Sequence, residues 1–147
     1  MEKKIFKISI NASPEKVWGF LWSKETYTLW TSPFCEGARA ETDWKKGSKA
    51  LFLNSDNEGM VSVINDNIPN KYMSIEHLGV VKNGLEDMES IQTKEWAGTQ
   101  ENYTLNNVNG KTDLSVEMDI LEKYKDYFDS TCPKALDLVK KYAEQNN

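Results

Sequence analysis

The 147-residue sequence is poor in the side chains that carry out most enzyme chemistry and metal binding. It has one histidine, His77, one arginine, Arg39, and two cysteines, Cys35 and Cys132. It contains no G-x-S-x-G elbow, no glycine-rich phosphate loop, no H-E-x-x-H and no C-x-x-C. These absences count against nucleophilic hydrolysis, phosphoryl transfer and a zinc site, so we expect neither a metal nor a cofactor.

Long apolar runs and clustered positive charge are also missing. No stretch approaches the roughly 20 apolar residues that a membrane-spanning helix needs. The net charge of −5 and the pI near 5.0 argue against a nucleic-acid partner, because such proteins usually present a basic patch. The first residues enter a strand-like pattern without a signal peptide, which predicts a cytoplasmic protein whose two cysteines are reduced and buried.

Alternation of apolar and polar residues predicts strands along most of the chain. Asn83-Gly84 and Asn109-Gly110 are strong hairpin signals, which favour an antiparallel sheet. The segment Leu85–Gly98 is irregular and is expected to hold a loop with part of a strand. The predicted strands are Lys3–Ile10, Ala38–Asp43, Ser48–Leu53, Gly59–Asn65, Tyr72–Gly79, Thr99–Leu105 and Thr112–Ile120.

Helix signals lie near the two ends of the chain. Ser13, followed by Pro14, predicts a capped helix after the first strand, and Ser23 looks like the cap of a second short helix that ends at Trp30. A turn over Tyr124–Ser130 and a long helix starting close to Pro133 are expected at the C-terminus. The apolar face of that helix is predicted to comprise Ala135, Leu138, Val139, Tyr142 and Ala143.

Three segments together resemble the START-like, or SRPBCC, superfamily, and within it the branch related to the activator of the heat-shock-protein-90 ATPase. The segments are Ile8–Trp18, with its A-x-P-E-x-V-W pattern, Glu41–Ser48 and Pro133–Lys140. The resemblance implies an α+β helix-grip fold: a single domain over residues 1–147. In that fold a mainly antiparallel sheet of about six to seven strands curves around the C-terminal helix, and two short helices follow the first strand.

The aromatic residues outnumber what a small core requires, so they either pack the core or line a cavity that the resemblance implies. His77 could act as a base, although a hydrogen-bonded histidine beside the cavity is the simpler interpretation. Arg39 could bind a ligand carboxylate or form a surface salt bridge. The cavity candidates are Trp22, Tyr27, Trp30, Phe34, Phe52, Met60, His77, Trp96, Tyr103, Phe128, Cys132 and Leu136.

Three functions follow as hypotheses. The first is non-enzymatic binding of a small hydrophobic or amphipathic molecule between the sheet and the C-terminal helix, with an entrance near Phe128 and Cys132. The second, implied by the resemblance, is a stand-alone interaction domain with a chaperone partner. The third and weakest is a cyclase or hydrolase that uses His77 together with Glu or Tyr neighbours.

Overall fold

The computed structural model describes residues Met1–Gln145, so the last two positions of the predicted domain lie outside the described residues. Within that range the chain forms one antiparallel sheet and four α-helices. The strands are β1 (Glu2–Ile10), β2 (Arg39–Glu41), β3 (Lys49–Leu53), β4 (Gly59–Ile68), β5 (Tyr72–Lys82), β6 (Leu85–Asp87), β7 (Gln100–Val108) and β8 (Lys111–Ile120). The helices are α1 (Pro14–Trp22), α2 (Lys24–Trp30), α3 (Ile91–Lys94) and α4 (Lys125–Glu144), with a 3₁₀ turn at Glu122–Tyr124.

The strands follow the order β1-β8-β7-β5-β4-β3-β2, and β6 pairs with β5 outside this path. Every pairing is antiparallel. The predicted fold class is therefore confirmed: an α+β helix-grip fold with two short helices after the first strand and a long helix at the end.

Both Asn-Gly signals form tight turns between paired strands. Asn83 and Gly84 have φ angles of 52° and 77°, and Asn109 and Gly110 have 55° and 85°. Two successive positive φ values define the type I′ turn, whose twist matches that of the strands it connects. The first turn adds β6 to β5, and the second joins β7 to β8 through the pair Val108–Lys111.

The start of α1 follows its sequence signal, whereas the start of α2 does not. The Ser13 hydroxyl accepts a hydrogen bond from the Lys16 amide at 3.2 Å, and Pro14 occupies the first turn. Ser23 precedes α2 but does not cap it, because its hydroxyl donates to the Gly19 carbonyl of α1 at 2.6 Å. The side chain predicted to open the second helix therefore closes the first one.

Helix α4 is continuous, so the prediction of a turn over Tyr124–Ser130 and a helix start near Pro133 is wrong. Pro133 leaves the carbonyl of Asp129 without its helical donor. Both residues are exposed, so water can satisfy that carbonyl at low cost. On the opposite side of the helix Cys132 is buried and Phe128 packs against the core, which stabilises the turns before the proline.

The buried face of α4 differs from the predicted one at its edges. Leu138 and Tyr142 are only half-buried, and Tyr142 stacks on Phe20 of α1 with ring centroids 5.8 Å apart. The buried members are Thr131, Cys132, Ala135, Leu136, Val139 and Ala143.

The C-terminal half of α4 is fixed to the end of β1. Lys140 Nζ donates to the Ser9 carbonyl at 2.8 Å, and the Asn11 amide donates to Glu144 Oε2 at 2.7 Å. Beneath this half the core is fully packed around Ile10 and Val139. The N-terminal half is joined to β1 by two ion pairs, Lys4 with Asp129 at 3.5 Å and Glu2 with Lys125 at 3.6 Å, and the candidate site lies under this half.

Candidate functional site: a cavity under the N-terminal half of α4

A cavity of about 520 Å³ lies between the sheet and the N-terminal half of α4. Its volume falls within the range of small-molecule sites. The Tyr127 hydroxyl of α4 donates to the Phe34 carbonyl at 2.5 Å, which joins the helix to the loop that follows α2 at one wall. The candidates that line the cavity are Tyr27, Trp30, Phe34, Phe52, Met60, His77, Trp96, Tyr103, Phe128, Cys132 and Leu136.

Trp22 is the one candidate that the structure places elsewhere. It is 8% exposed and lies in the core behind the cavity wall, not among the lining residues. Its ring centroid lies 4.7 Å from that of Trp44 and 4.9 Å from that of Tyr103. Trp22 therefore packs against Tyr103 in the core and does not line the cavity.

The sequence analysis did not predict several of the residues that line the cavity. Val116 and Met118 carried a usable signal, because they belong to the apolar face of an alternating strand that was itself predicted. Glu101 carried none, since a single carboxylate on a mixed strand looks like solvated surface. The other lining residues missed include Thr31, Ala38, Val80, Gln100, Leu121, Tyr124, Tyr127 and Ala135.

A β-bulge shapes the sheet wall of the cavity. On β4, Val61 pairs with Gly79 whereas its neighbour Ser62 pairs with His77, so Leu78 is left without a partner. An extra residue in one strand reverses which side chains face inward beyond it. As a result His77 and Val80, three residues apart, both line the cavity.

His77 is the centre of a chain of polar side chains on neighbouring strands. Its Nδ1 lies 2.7 Å from Ser62 Oγ, and its Nε2 lies 3.1 Å from Glu101 Oε1. The Tyr103 hydroxyl donates to the other Glu101 oxygen, Oε2. Ser62 pairs directly with His77 in the sheet, and Glu101 is its diagonal neighbour on β7.

This arrangement limits the chemistry that His77 can perform. Both ring nitrogens are already engaged, and Ser62 is 1% exposed and does not line the cavity. A serine–histidine–carboxylate arrangement engages both ring nitrogens in this way, but its serine must be reached by substrate, and Ser62 is not. The Glu101 carboxylate and the tyrosine hydroxyls are among the polar groups that a ligand in the cavity can reach.

Burial and hydrogen bonding act in opposite directions on Glu101. Burial alone would raise its pKa, but the hydrogen bond and the charge of His77, together with the Tyr103 hydroxyl, outweigh burial and hold the pKa of Glu101 below its ordinary value of 4.5. For Tyr103 and Tyr27, burial and then the charge of Glu101 raise the pKa well above 10.0. Both hydroxyls are therefore protonated at neutral pH and can donate hydrogen bonds.

Acid should destabilise the fold through Glu101. Because its pKa is lower in the folded chain than in the unfolded chain, the unfolded chain takes up the proton first as pH falls. The contribution of Glu101 to stability is full above pH 4.5 and is lost as pH falls through the folded-state pKa. The free energy of unfolding, measured by urea titration at a series of pH values, should decline less steeply in this window for Glu101→Gln than for the wild type. Exposed Glu89→Gln is the matched control, and a Glu101→Gln profile parallel to the wild type would contradict the expectation.

The two thiols differ in their surroundings. Both are free, but Cys35 is exposed, so the prediction that both cysteines are buried is wrong for that residue. Burial, followed by the charges of Glu101 and Asp129, raises the pKa of Cys132 to about 12. A thiol needs its thiolate form to act as a nucleophile, so Cys132 serves as an apolar part of the cavity wall at neutral pH.

Arg39 forms the surface salt bridge that its sequence context suggested. Its Nη2 lies 3.3 Å from Glu41 Oε2, Nη1 donates to the Asn54 carbonyl at 2.8 Å, and Nη2 also donates to Asn57. The guanidinium is thus occupied, although the residue contributes to the cavity rim.

Residues 1–145 contain no cluster of three or more His, Cys, Asp or Glu side chains that could hold a metal ion. In the same range, no helix combines the length and apolar character that crossing a membrane would require.

The fold and the cavity define the class of this protein: it has the START-like helix-grip fold with a mainly apolar cavity beneath its long helix. No protein-family model matches the sequence, and no curated protein matches it. Solved structures do share the fold over nearly the whole chain. The structure of the Aha1 dimer from Colwellia psychrerythraea aligns with a TM-score of 0.75 and 18% identity, covering 100% of this chain and 99% of that one.

Two further solved structures have the same fold. Protein MLL2253 from Mesorhizobium loti aligns with a TM-score of 0.78 and 12% identity over 99% of both chains. CalU16 from Micromonospora echinospora aligns with a TM-score of 0.68 and 14% identity, covering 99% of this chain and 76% of that one. At these identities the likeness defines the fold alone.

Proposed function

We propose that this protein binds a small hydrophobic or amphipathic molecule in the cavity between its sheet and α4, without acting on it chemically. The observation that carries the proposal is the cavity itself, about 520 Å³ within a chain of only 147 residues. Protein interiors are otherwise close-packed, so an unfilled apolar space of this size loses dispersion contacts and needs an explanation. Binding supplies one, because a ligand would restore those contacts.

The lining supports the same proposal. Rings of Tyr27, Trp30, Phe52 and Tyr103 surround the space, and aromatic rings offer large apolar area at little cost in conformational entropy. Few polar groups face inward, which is the usual composition of a small-molecule site. The serine bonded to His77, Ser62, is 1% exposed and lies outside the cavity lining, which counts against a serine hydrolase as the form of the third hypothesis.

A ligand found by screening should raise the thermal stability of the wild type. At about a hundredfold excess over its dissociation constant a ligand adds roughly 2.7 kcal/mol, which corresponds to roughly 5–10 °C for a chain of this size. Met60→Trp should largely abolish the shift, since the indole would fill cavity space. Native mass spectrometry of the protein from cells, together with differential scanning fluorimetry, provides the measurement.

Val63→Trp is the matched control. Val63 lies on β4 three positions from Met60, therefore on the opposite face of the strand, and does not line the cavity. It should keep the full ligand-induced shift. The proposal fails if no lipid or aromatic compound stabilises the wild type, or if both variants respond alike.

An interaction with a chaperone is the second candidate, and the likeness to the Aha1 structure over the whole chain favours it. Under this hypothesis the protein should co-purify with the chaperone of its own cell and change the chaperone's ATPase rate. Absence of both effects at micromolar concentrations of the two proteins would rule it out.

A further inference from the structure

We infer that the polar group of the ligand is a hydrogen-bond donor without negative charge, a hydroxyl or an amine, and that the cavity rejects a carboxylate on the same skeleton. This inference rests on the proposed binding function and specifies its chemistry. It is carried by the free hydrogen-bonding positions around Glu101 and by the charges that face the cavity.

Glu101 has acceptor positions to spare and no proton to give. As a carboxylate it offers about four acceptor positions on its two oxygens. His77 occupies one position on Oε1, and the Tyr103 hydroxyl occupies one on Oε2. A ligand group that meets Glu101 must therefore supply a proton, as a hydroxyl or an amine does.

The Tyr27 hydroxyl is a second polar group that a ligand in the cavity can meet. Tyr27 lines the cavity, and among residues 1–145 its hydroxyl has no hydrogen-bond partner. Tyr27 and Tyr103 both pack against Trp30, with ring centroids 5.4 Å and 6.2 Å from the indole. Tyr27 is half-buried, and its hydroxyl can form a hydrogen bond with a ligand atom in the cavity. A hydroxyl or amine that donates to Glu101 can accept from, or donate to, Tyr27.

The charges at the cavity disfavour an anion. Three carboxylates line it, those of Glu58, Glu101 and Asp119. Two basic residues are among the described lining residues, and both are engaged: the Arg39 guanidinium by Glu41, Asn54 and Asn57, and the His77 ring by Ser62 and Glu101. A ligand carboxylate near Glu101 would therefore lose its hydration and meet a like charge without a free cation to compensate.

Four fluorescent probes with one skeleton test this inference: pyrenebutanol, pyrenebutylamine, pyrenebutyrate and butylpyrene. Titrated into the full chain at neutral pH, the alcohol or the amine should bind at least about tenfold more tightly than the carboxylate. The ranking of alcohol against amine identifies which donor the cavity prefers. Equal or tighter binding of pyrenebutyrate would overturn the inference and leave the binding function standing. Failure of all four probes to bind would overturn both.

Two variants test the residues assigned. Glu101→Gln removes the like charge and adds an amide donor, so it should improve pyrenebutyrate binding about tenfold while weakening the alcohol. Tyr27→Phe should weaken the alcohol about three- to tenfold and leave butylpyrene unchanged, and it tests the inference even if the Glu101 variant does not fold. Tyr72→Phe, on β5 but outside the cavity, is the control. Unchanged affinities of all four probes for Tyr27→Phe would remove Tyr27 from the site.

Discussion

Replacing Gly59 by alanine should lower the free energy of unfolding by about 3 kcal/mol or more, among the largest effects of a single methyl group. A Cβ at this position would lie 1.7 Å from the carbonyl oxygen of Phe52 and 2.8 Å from its carbonyl carbon. Those atoms belong to the backbone of β3, which pairs with β4 at this point, so no side-chain rotation can relieve the clash. The two strands must separate locally, and Phe52, which lines the cavity, must move with them.

Gly19→Ala is the matched control and should have the opposite sign. Gly19 lies inside α1, and nothing lies within 4 Å of its Cβ position. Alanine favours a helix interior over glycine by roughly 1 kcal/mol, so this variant should be stabilised. Urea unfolding monitored by tryptophan fluorescence measures both. Equal unfolding midpoints for Gly59→Ala and the wild type would show that β3 and β4 are not in the described contact.

Replacing His77 by leucine should cost about 1–3 kcal/mol or more, the usual penalty when a buried polar or charged group loses its hydrogen-bond partner. The side chains of His77 and Glu101 are only 9% and 18% exposed. Leucine leaves the Glu101 carboxylate with the Tyr103 hydroxyl alone, and it leaves the Ser62 hydroxyl without its partner. Urea unfolding at pH 7 provides the measurement.

The double variant His77→Leu with Glu101→Gln distinguishes two causes of lost stability: an unpaired charge on Glu101 and the loss of packing around residue 77. It should recover much of the lost stability, because no uncompensated charge remains in the cavity wall. Lys49→Ala is the control for an exposed pair. The Lys49 and Glu86 side chains are 59% and 28% exposed, and their loss should cost at most about 1 kcal/mol. A double variant as unstable as His77→Leu would contradict the assigned role of charge.

Local signals were sufficient for most of the fold. Ser13 and Pro14 marked the start of α1, and each Asn-Gly pair marked a hairpin, because those backbone conformations depend on the residues themselves. The START-like resemblance supplied the arrangement of the helix over the sheet. Pro133 misled the prediction of α4, since the local penalty of proline was outweighed by burial of Cys132 and Phe128 on the far side of the helix.

The polar part of the site depended on tertiary contacts that no local pattern reveals. His77 and Glu101 are 24 residues apart and meet only because β5 pairs with β7 in one register. The bulge at Leu78, which brings His77 and Val80 to one face, shifts a strand that otherwise alternates regularly. The aromatic excess could be recognised from composition, but Trp22 and Tyr27 were equal cavity candidates, and only the coordinates distinguish the core residue Trp22 from the lining residue Tyr27.

The pairing of β1 with β8 has a consequence for how the chain is made. Glu2 lies opposite Ile120 and Ile10 lies opposite Thr112, so the first strand bonds to the last one. During synthesis on the ribosome, β1 stays unpaired until more than a hundred further residues have emerged. At about 5–20 residues per second this takes several seconds. Closing so long a loop also slows refolding of the complete chain into the range of milliseconds to seconds. Lys3 and Lys7, which lie on one face of β1, give the unpaired strand positive charge. Charge on an unpaired strand disfavours its pairing with neighbouring nascent chains.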